Sequence, residues 1–397
     1  MKKTALSLLI LFLFVGLFPD ISFCDKPPIK IGVILPLTGD KAVFGMVQKN
    51  SFVMGADEIN HSGGINGSPI QLLFEDDKGK PDVGRTVTEK LITQDQVIAL
   101  TGGYSSTATY AECEWAEKLK TPFLVTTSSA DEITEQGWNY IFRLNPPSSE
   151  YNNALKSFLS EVVKPASVAI IYENTLFGAS GAKQFAGQCD KAGIKVLVRE
   201  PYDTGDLDFG PIIAKAKLAK VDMVYMLSYA QDAAMLMRQA QEHDFNAKLF
   251  VGCAAGFNIP QFATQAGPAV EFVFTIELWS PNLLFPGAKE YFENYAERFD
   301  SPTAYHGAQA YASLFVLANA LSRTTKIDPE ELREALGATE MMTAFGPVKF
   351  NSYGKKKQQN VLPTYLAQWQ NGVLELVWPK NVATKPYVFP IPEWSQR

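Results

Sequence analysis

Two stretches decide the fold: IKIGVILPLTGDKAVFG, Ile29 to Gly45, and SVAIIYENTLFG, Ser167 to Gly178. Each reads as a β-branched run, a short loop and then Phe-Gly at the head of a helical pattern, so one α/β unit occurs twice. Outward from the first, helical Phe44 to Asn60 is followed by IQLLF and Asp82 to Thr93, VIALT and Thr107 to Leu119, then FLVTT and Ala130 to Gln136. Outward from the second, Phe177 to Ala192 is followed by IKVLVRE and Phe209 to Leu218, VDMVYML and Ala230 to His243, then KLFVG and EFVFTI. Strands alternating with helices imply βαβ units, parallel sheets and, with a repeat, two similar doubly wound α/β lobes facing across a cleft.

Local signals support the helices. Between Thr107 and Leu119, Ala108, Ala111, Trp115 and Leu119 share one face, and Glu112, Glu117 and Lys118 are expected to face water. Gly63-Gly64 supplies a stop for the first helix. Asn145-Pro146-Pro147 forbids helix and marks the boundary between the two series. After Ile276 the pattern changes to helices over Pro286 to Phe299, Thr303 to Arg323 and Pro329 to Leu336, then short strands around Val348, Leu366 and Leu374. The closing KPYVFPIPEW is too rich in proline for regular structure and is expected to pack as an extended tail.

At 397 residues the chain exceeds the size of one growing core, which agrees with two lobes. Its 36 Lys and Arg against 42 Asp and Glu leave a net charge of -6, which argues against nucleic acid or an anionic membrane as partner. The run Lys355 to Lys357 reads as a solvated turn. At the start, Lys2 and Lys3 precede an apolar run from Ala5 to Phe18, shorter than the ~20 residues needed to span a bilayer. That is the pattern of an export signal over residues 1–24, with Ser22 and Cys24 at the small-residue positions and cleavage before Asp25. A lipidated Cys24 is the rival reading, which bulky Phe23 disfavours; after cleavage no segment inserts in a membrane. Cys113, Cys189 and Cys253 have neither disulfide nor metal-ligand spacing, so no metal site is expected.

In open parallel sheets, ligands bind beyond the carboxyl ends of the strands. That rule selects the loop Thr38 to Phe44, VIALTGGYSSTAT from Val97 to Thr109, Val125 to Ala130, and the loops after Tyr172, Leu227 and Gly252. GGYSSTAT lacks the lysine of a phosphate loop, so no nucleotide cofactor is expected. It still offers Ser105 and Ser106 at a helix N-terminus, suited to a carboxylate; Ser106 reads equally as the helix cap. In TTSSADEIT, Ser129 and Glu132 have capping-box spacing, while Thr127 and Ser128 face the same space as Ser105. Phe44 and Phe177, matched by the repeat, sit on opposing lips, with Tyr104 and Tyr229 nearby. There is no G-x-S-x-G elbow or nucleophile-base pair, so no catalytic residue and no enzyme is expected. Asp76-Asp77 reads as a cap for the following helix.

These motifs, with INHSGGINGSPIQLLFEDDKGKP, VKPASVAIIYEN and FGPVKFNSYG, make the chain resemble the type I periplasmic binding proteins of the branched-chain amino acid binding family. The resemblance covers nearly all of the chain after the export signal. It implies a hinge of three crossing strands, here near Leu144 to Pro147, Phe274 to Glu277 and Lys349 to Tyr353. The first lobe then comprises 25–144 and 277–349, the second 145–276 and 350–385, with 386–397 as the tail. It implies that Ser105 binds a ligand carboxylate, Thr127 and Ser129 assist, Tyr229 holds the amino end, and Phe44, Tyr104 and Phe177 line the side-chain pocket. An acid that commonly follows the strand KLFVG is replaced by Cys253, Ala254 and Ala255; Glu277 or Glu173 would have to pair with an ammonium. The implied function is a periplasmic solute-binding protein delivering a small carboxylate ligand to the membrane permease of an ABC transporter. The alternatives are ligands lacking an amine, such as aromatic acids or amides, and a sensor role.

Overall fold

The computed structural model describes residues 26–397, so the export signal expected over 1–24 lies outside the described residues. The first series forms β1 (Ile29–Leu35), β2 (Ile70–Asp76), β3 (Ala99–Gly102), β4 (Phe123–Val125) and β5 (Ile141–Arg143), all parallel, in the order 2-1-3-4-5. The second forms β6 (Ser167–Glu173), β7 (Lys195–Tyr202), β8 (Met223–Leu227), β9 (Leu249–Gly252) and β10 (Phe274–Glu277), parallel in the order 7-6-8-9-10. The two permutations are the same, which is the structural content of the repeat. The inner strands β3, β4, β8 and β9 are buried along their whole length, as strands covered on both faces must be.

The matched Phe-Gly pairs have a shared cause. A Cβ on Gly45 would lie 2.0 Å from the carbonyl oxygen of Pro36, and one on Gly178 would lie 2.0 Å from that of Glu173. In both lobes the first turn of the helix is pressed against the end of the preceding strand, and only glycine fits there.

Three later strands, β11 (Glu340–Thr343), β12 (Gly346–Tyr353) and β13 (Lys356–Asn360), extend the first sheet beyond β5. Two more, β14 (Tyr365–Gln370) and β15 (Val373–Trp378), extend the second sheet antiparallel to β10. The chain therefore passes between sheets after β5, after β10 and after β13. The third passage lies between Asn360 and Tyr365, later than the expected Lys349 to Tyr353, and 350–360 goes with the first sheet instead of the second. Tyr353-Gly354 is a hairpin turn, with Tyr353 paired to Lys356, and not a crossing. Nor is that lysine run merely solvated: Lys356 reaches Asp131 at 2.8 Å and Glu135 at 2.9 Å.

Two further expectations are corrected. Within the helix Ser106–Lys118, Glu112 is fully buried against Asp77 and does not face water; burial and that neighbouring carboxyl hold its own carboxyl well above the usual range. The pair Asp76-Asp77 caps no helix. Asp76 accepts from the Leu37 and Lys78 N–H groups at 2.8 and 2.9 Å, and Asp77 from Gly79 N–H at 2.7 Å, so both fix the strand-end loops.

The helix Ala42–His61 packs on the almost wholly buried helix Tyr305–Ser322, which closes the back of the first lobe. The tail after Pro386 runs without regular strands along the second lobe, where Tyr387 meets Phe158 edge-on and Ile391 N–H donates to Lys248 O at 3.1 Å. Among the described residues no helix is long and apolar enough to cross a membrane.

Candidate functional site

Four strand ends converge between the lobes. At the end of β3, Gly102 and Gly103 take φ of 105° and 78°, and a Cβ on Gly102 would stand 2.3 Å from Ile34 O. The pair thus folds the chain tightly over β1, with Gly103 N–H donating to Ile34 O at 2.9 Å, and delivers Tyr104, Ser105 and Ser106 to the cleft side. Beyond β4, Thr126 N–H donates to Gly102 O at 2.8 Å and Ser128 N–H to Gly103 O at 3.2 Å, which sets Thr127 and Ser129 beside them. From the second lobe come Tyr229 after β8 and Ala255 after β9.

The cavity at this junction is lined by Tyr104, Ser106, Thr127, Ser129, Tyr151, Phe177, Tyr229, Ala255 and Tyr305. Its free space is about 20 Å³, near the ~10–15 Å³ that a single water requires, so the lobes stand shut. Bonds across the cleft hold them there. Ser180 Oγ donates to Glu132 Oε2 at 2.9 Å, Leu176 N–H donates to Thr107 Oγ1 at 3.3 Å, and Ala255 N–H donates to Tyr305 Oη at 3.1 Å.

Of the residues expected at a ligand, the structure brings Tyr104, Thr127, Ser129, Phe177 and Tyr229 to the cavity. Phe44 stands behind it, stacked on Tyr104 with centroids 4.6 Å apart. Tyr229 bridges the two matched phenylalanines, at 6.3 Å from Phe44 and 5.4 Å from Phe177. Ser105 occupies the N-cap position of its helix without a side-chain capping bond, and its Cβ faces Gly79, outside the cavity lining. Ser106 lines the cavity instead, one residue further on; its Oγ accepts from Ala130 N–H at 3.3 Å, so it caps nothing in its own helix. The capping box is also absent: Ala130, not Ser129, precedes the short helix Asp131–Thr134, and Glu132 turns across the cleft to Ser180.

Neither substitute acid lines the cavity. Glu277 Oε1 accepts from Leu278 N–H at 2.9 Å and Trp279 N–H at 3.3 Å, and its Oε2 accepts from Asn258 Nδ2 at 2.8 Å. Burial nevertheless pushes its carboxyl up to about 8. Glu173 accepts from Thr204 Oγ1, and its Oε2 has no hydrogen-bond partner among the described residues. Burial raises its carboxyl, opposed by the charge of Lys41. Where an acid was expected, Ala254 and Ala255 both take positive φ, 50° and 47°, a strained conformation that directs the Ala255 N–H at Tyr305.

Tyr151, Tyr305 and His306 were not foreseen. Tyr151 closes the short helix Ser148–Tyr151 that follows Pro146-Pro147, Tyr305 opens the helix Tyr305–Ser322, and their aromatic character reads equally as core. His306 stacks on Tyr305 at 3.7 Å, and burial lowers its imidazole to about 3, so it is neutral.

The paired lobes, the cleft at their strand ends and the tyrosine and hydroxyl lining define a solute-binding protein that closes on a small molecule. A family model described as periplasmic binding protein matches residues 28–373, and the chain belongs to that family. It is 28% identical to the leucine-, isoleucine-, valine-, threonine-, and alanine-binding protein of Pseudomonas aeruginosa, over 83% of this chain and 87% of that one. Its fold is similar to that of the branched-chain amino acid transporter substrate-binding protein LivJ of Streptococcus pneumoniae in complex with isoleucine, with a TM-score of 0.80 and 24% identity, covering 89% of this chain and 100% of that one. It is equally similar, at a TM-score of 0.80 and 17% identity over 91% of this chain and 98% of the other, to a solute-binding protein of an ABC transporter from R. palustris in complex with benzoate.

Proposed function

We propose that the protein is the exported substrate-binding component of an ABC-type importer, which captures a small carboxylate, an amino acid or a related acid, and hands it to a membrane permease. The observation that carries this reading is the cleft itself. Ser106, Thr127 and Ser129 of one lobe face Tyr229 and Ala255 of the other across a cavity only their closure completes. A ligand touching both lobes selects the shut form, and shape then signals loading to the permease. The N-terminal pattern of Lys2 and Lys3 with its apolar run supports export to the periplasm.

A second reading, favoured by a specific observation, is that the ligand carries no ammonium. Among the described residues no carboxylate lines the cavity, and Glu277 is already engaged by three donors. An unpaired buried ammonium costs about 3–5 kcal/mol. A thermal-shift screen of leucine, isoleucine, valine and phenylalanine, their deaminated analogues and benzoate tests both readings. Stabilisation by the amino acids supports the first, and by the deaminated set alone the second. Stabilisation by none, or turnover of a bound compound, overturns the reading of a carboxylate-binding importer component.

A further inference from the structure

Tyr104 presents an anomaly inside the site. Its side chain is 4% exposed and lines the cavity, yet its hydroxyl has no hydrogen-bond partner among the described residues. Two of the cavity's other tyrosines have partners for their hydroxyls. Tyr151 Oη accepts from Asn145 Nδ2 at 2.6 Å, and Tyr305 Oη accepts from Ala255 N–H at 3.1 Å. The ring of Tyr104 stands against that of Tyr229 from the other lobe, with centroids 5.7 Å apart, and both residues line the same space. The Tyr104 ring is locked by the Phe44 stack and by His306 at 5.6 Å, so it cannot swing out to water. The Nε2 of His306 is likewise without a partner among the described residues. Buried hydroxyls are ordinarily paired, and an unpaired one on a ligand-facing wall is a donor and acceptor held for the ligand.

We propose that Tyr104 is a specificity-determining residue, and that the preferred ligand presents to its hydroxyl a hydrogen-bonding atom at a position remote from the carboxylate. This rests on the reading of the cleft as a carboxylate-binding site and narrows it. The wall formed by Tyr104, Phe177 and Tyr229, with Phe44 stacked behind Tyr104, favours a flat apolar frame. The orphan hydroxyl disfavours a frame that is apolar throughout, because such a ligand seals it in unpaired. Sites built to pair a ligand hydroxyl reject the analogue lacking it far more strongly than apolar pockets reject an extra methylene.

The test uses pairs of probes that differ by one hydroxyl: phenylalanine and tyrosine, valine and threonine, and benzoate with its 3-hydroxy and 4-hydroxy derivatives. Affinities are measured by calorimetry on the full mature chain. In at least one pair the hydroxylated member binds at least tenfold tighter to the native protein, and in Tyr104→Phe that ratio falls to near one; circular dichroism and thermal unfolding verify that the variant is folded. Probes that bind without hydroxyl preference, or a preference that persists in folded Tyr104→Phe, overturn the role of Tyr104 and leave the carboxylate reading standing. Should Tyr104→Phe not fold, the native protein's preference decides: its absence overturns the proposal, its presence supports it. Binding of no probe at all overturns the carboxylate reading and this inference with it.

Discussion

The ammonium of Lys41, on the first lobe, stands 4.4 Å from the centroid of the Tyr229 ring on the second. Lys41 is 7% exposed, paired with Asp40 at 2.8 Å, and its charge also reaches Glu173 and Asp232 of the opposite lobe. Burial and Glu173 push the Asp232 carboxyl up to about 7, and Lys41 pulls it down. A cation over an aromatic face contributes ~0.5–2 kcal/mol, or roughly two- to thirtyfold in an equilibrium. Lys41→Met therefore shifts the lobes toward the open form, enlarging the radius of gyration in small-angle scattering. A scattering profile equal to that of the native protein would remove Lys41 from the closure contacts.

The matched glycines give a prediction with an internal control. Gly45→Ala and Gly178→Ala each force a methyl into a carbonyl oxygen 2.0 Å away and should lose about 1–3 kcal/mol of stability in denaturant unfolding. Gly187, in the same helix as Gly178, has nothing within 4 Å of its added Cβ. Gly187→Ala should gain about 0.5–1 kcal/mol from the unfolded chain's lost freedom. Equal effects at 178 and 187 would show that helix propensity, and not contact with the strand end, governs the Phe-Gly repeat.

The repeat was legible because hydrophobic alternation and Phe-Gly spacing are local properties, and both lobes carry them. What was not legible depends on partners remote in sequence. Whether Tyr353-Gly354 turns a hairpin or leads into a crossing is decided by Gln359 pairing with Arg143, more than two hundred residues earlier. Glu112 looked solvated because its face carries charge at helical spacing, and only the fold places Asp77 against it. Likewise GGYSST marks a helix start, but a one-residue rotation there selects the serine that enters the cleft.

His306 gives a pH dependence with a definite sign. Its imidazole ordinarily titrates near 6.5 and is lowered by burial to about 3, so the unfolded chain binds the proton more readily than the folded one. The stability it confers is present above about 6.5 and is lost as pH falls toward 3. Between pH 7 and pH 4.5 the native protein should lose roughly 2 kcal/mol more than His306→Gln does, at ~1.4 kcal/mol per pKa unit. Unfolding curves at the two pH values check this, and parallel losses in both proteins would mean that His306 is not buried neutral.

The two serines at the head of the helix Ser106–Lys118 separate the resemblance from the geometry. Family correspondence points to Ser105, whereas the cavity is lined by Ser106, beside Thr127 and Ser129. Hydroxyl bonds to a carboxylate contribute ~1.5–3 kcal/mol, or about ten- to hundredfold in affinity. With the carboxylate probe that stabilises the protein most, Ser106→Ala should weaken binding at least tenfold in calorimetry. Ser105→Ala, at a buried position outside the cavity lining that makes no capping bond, should change it less than about threefold. The reverse order would mean that the helix start rotates by one residue when the ligand is bound, so that the shut form seen here is not the liganded one.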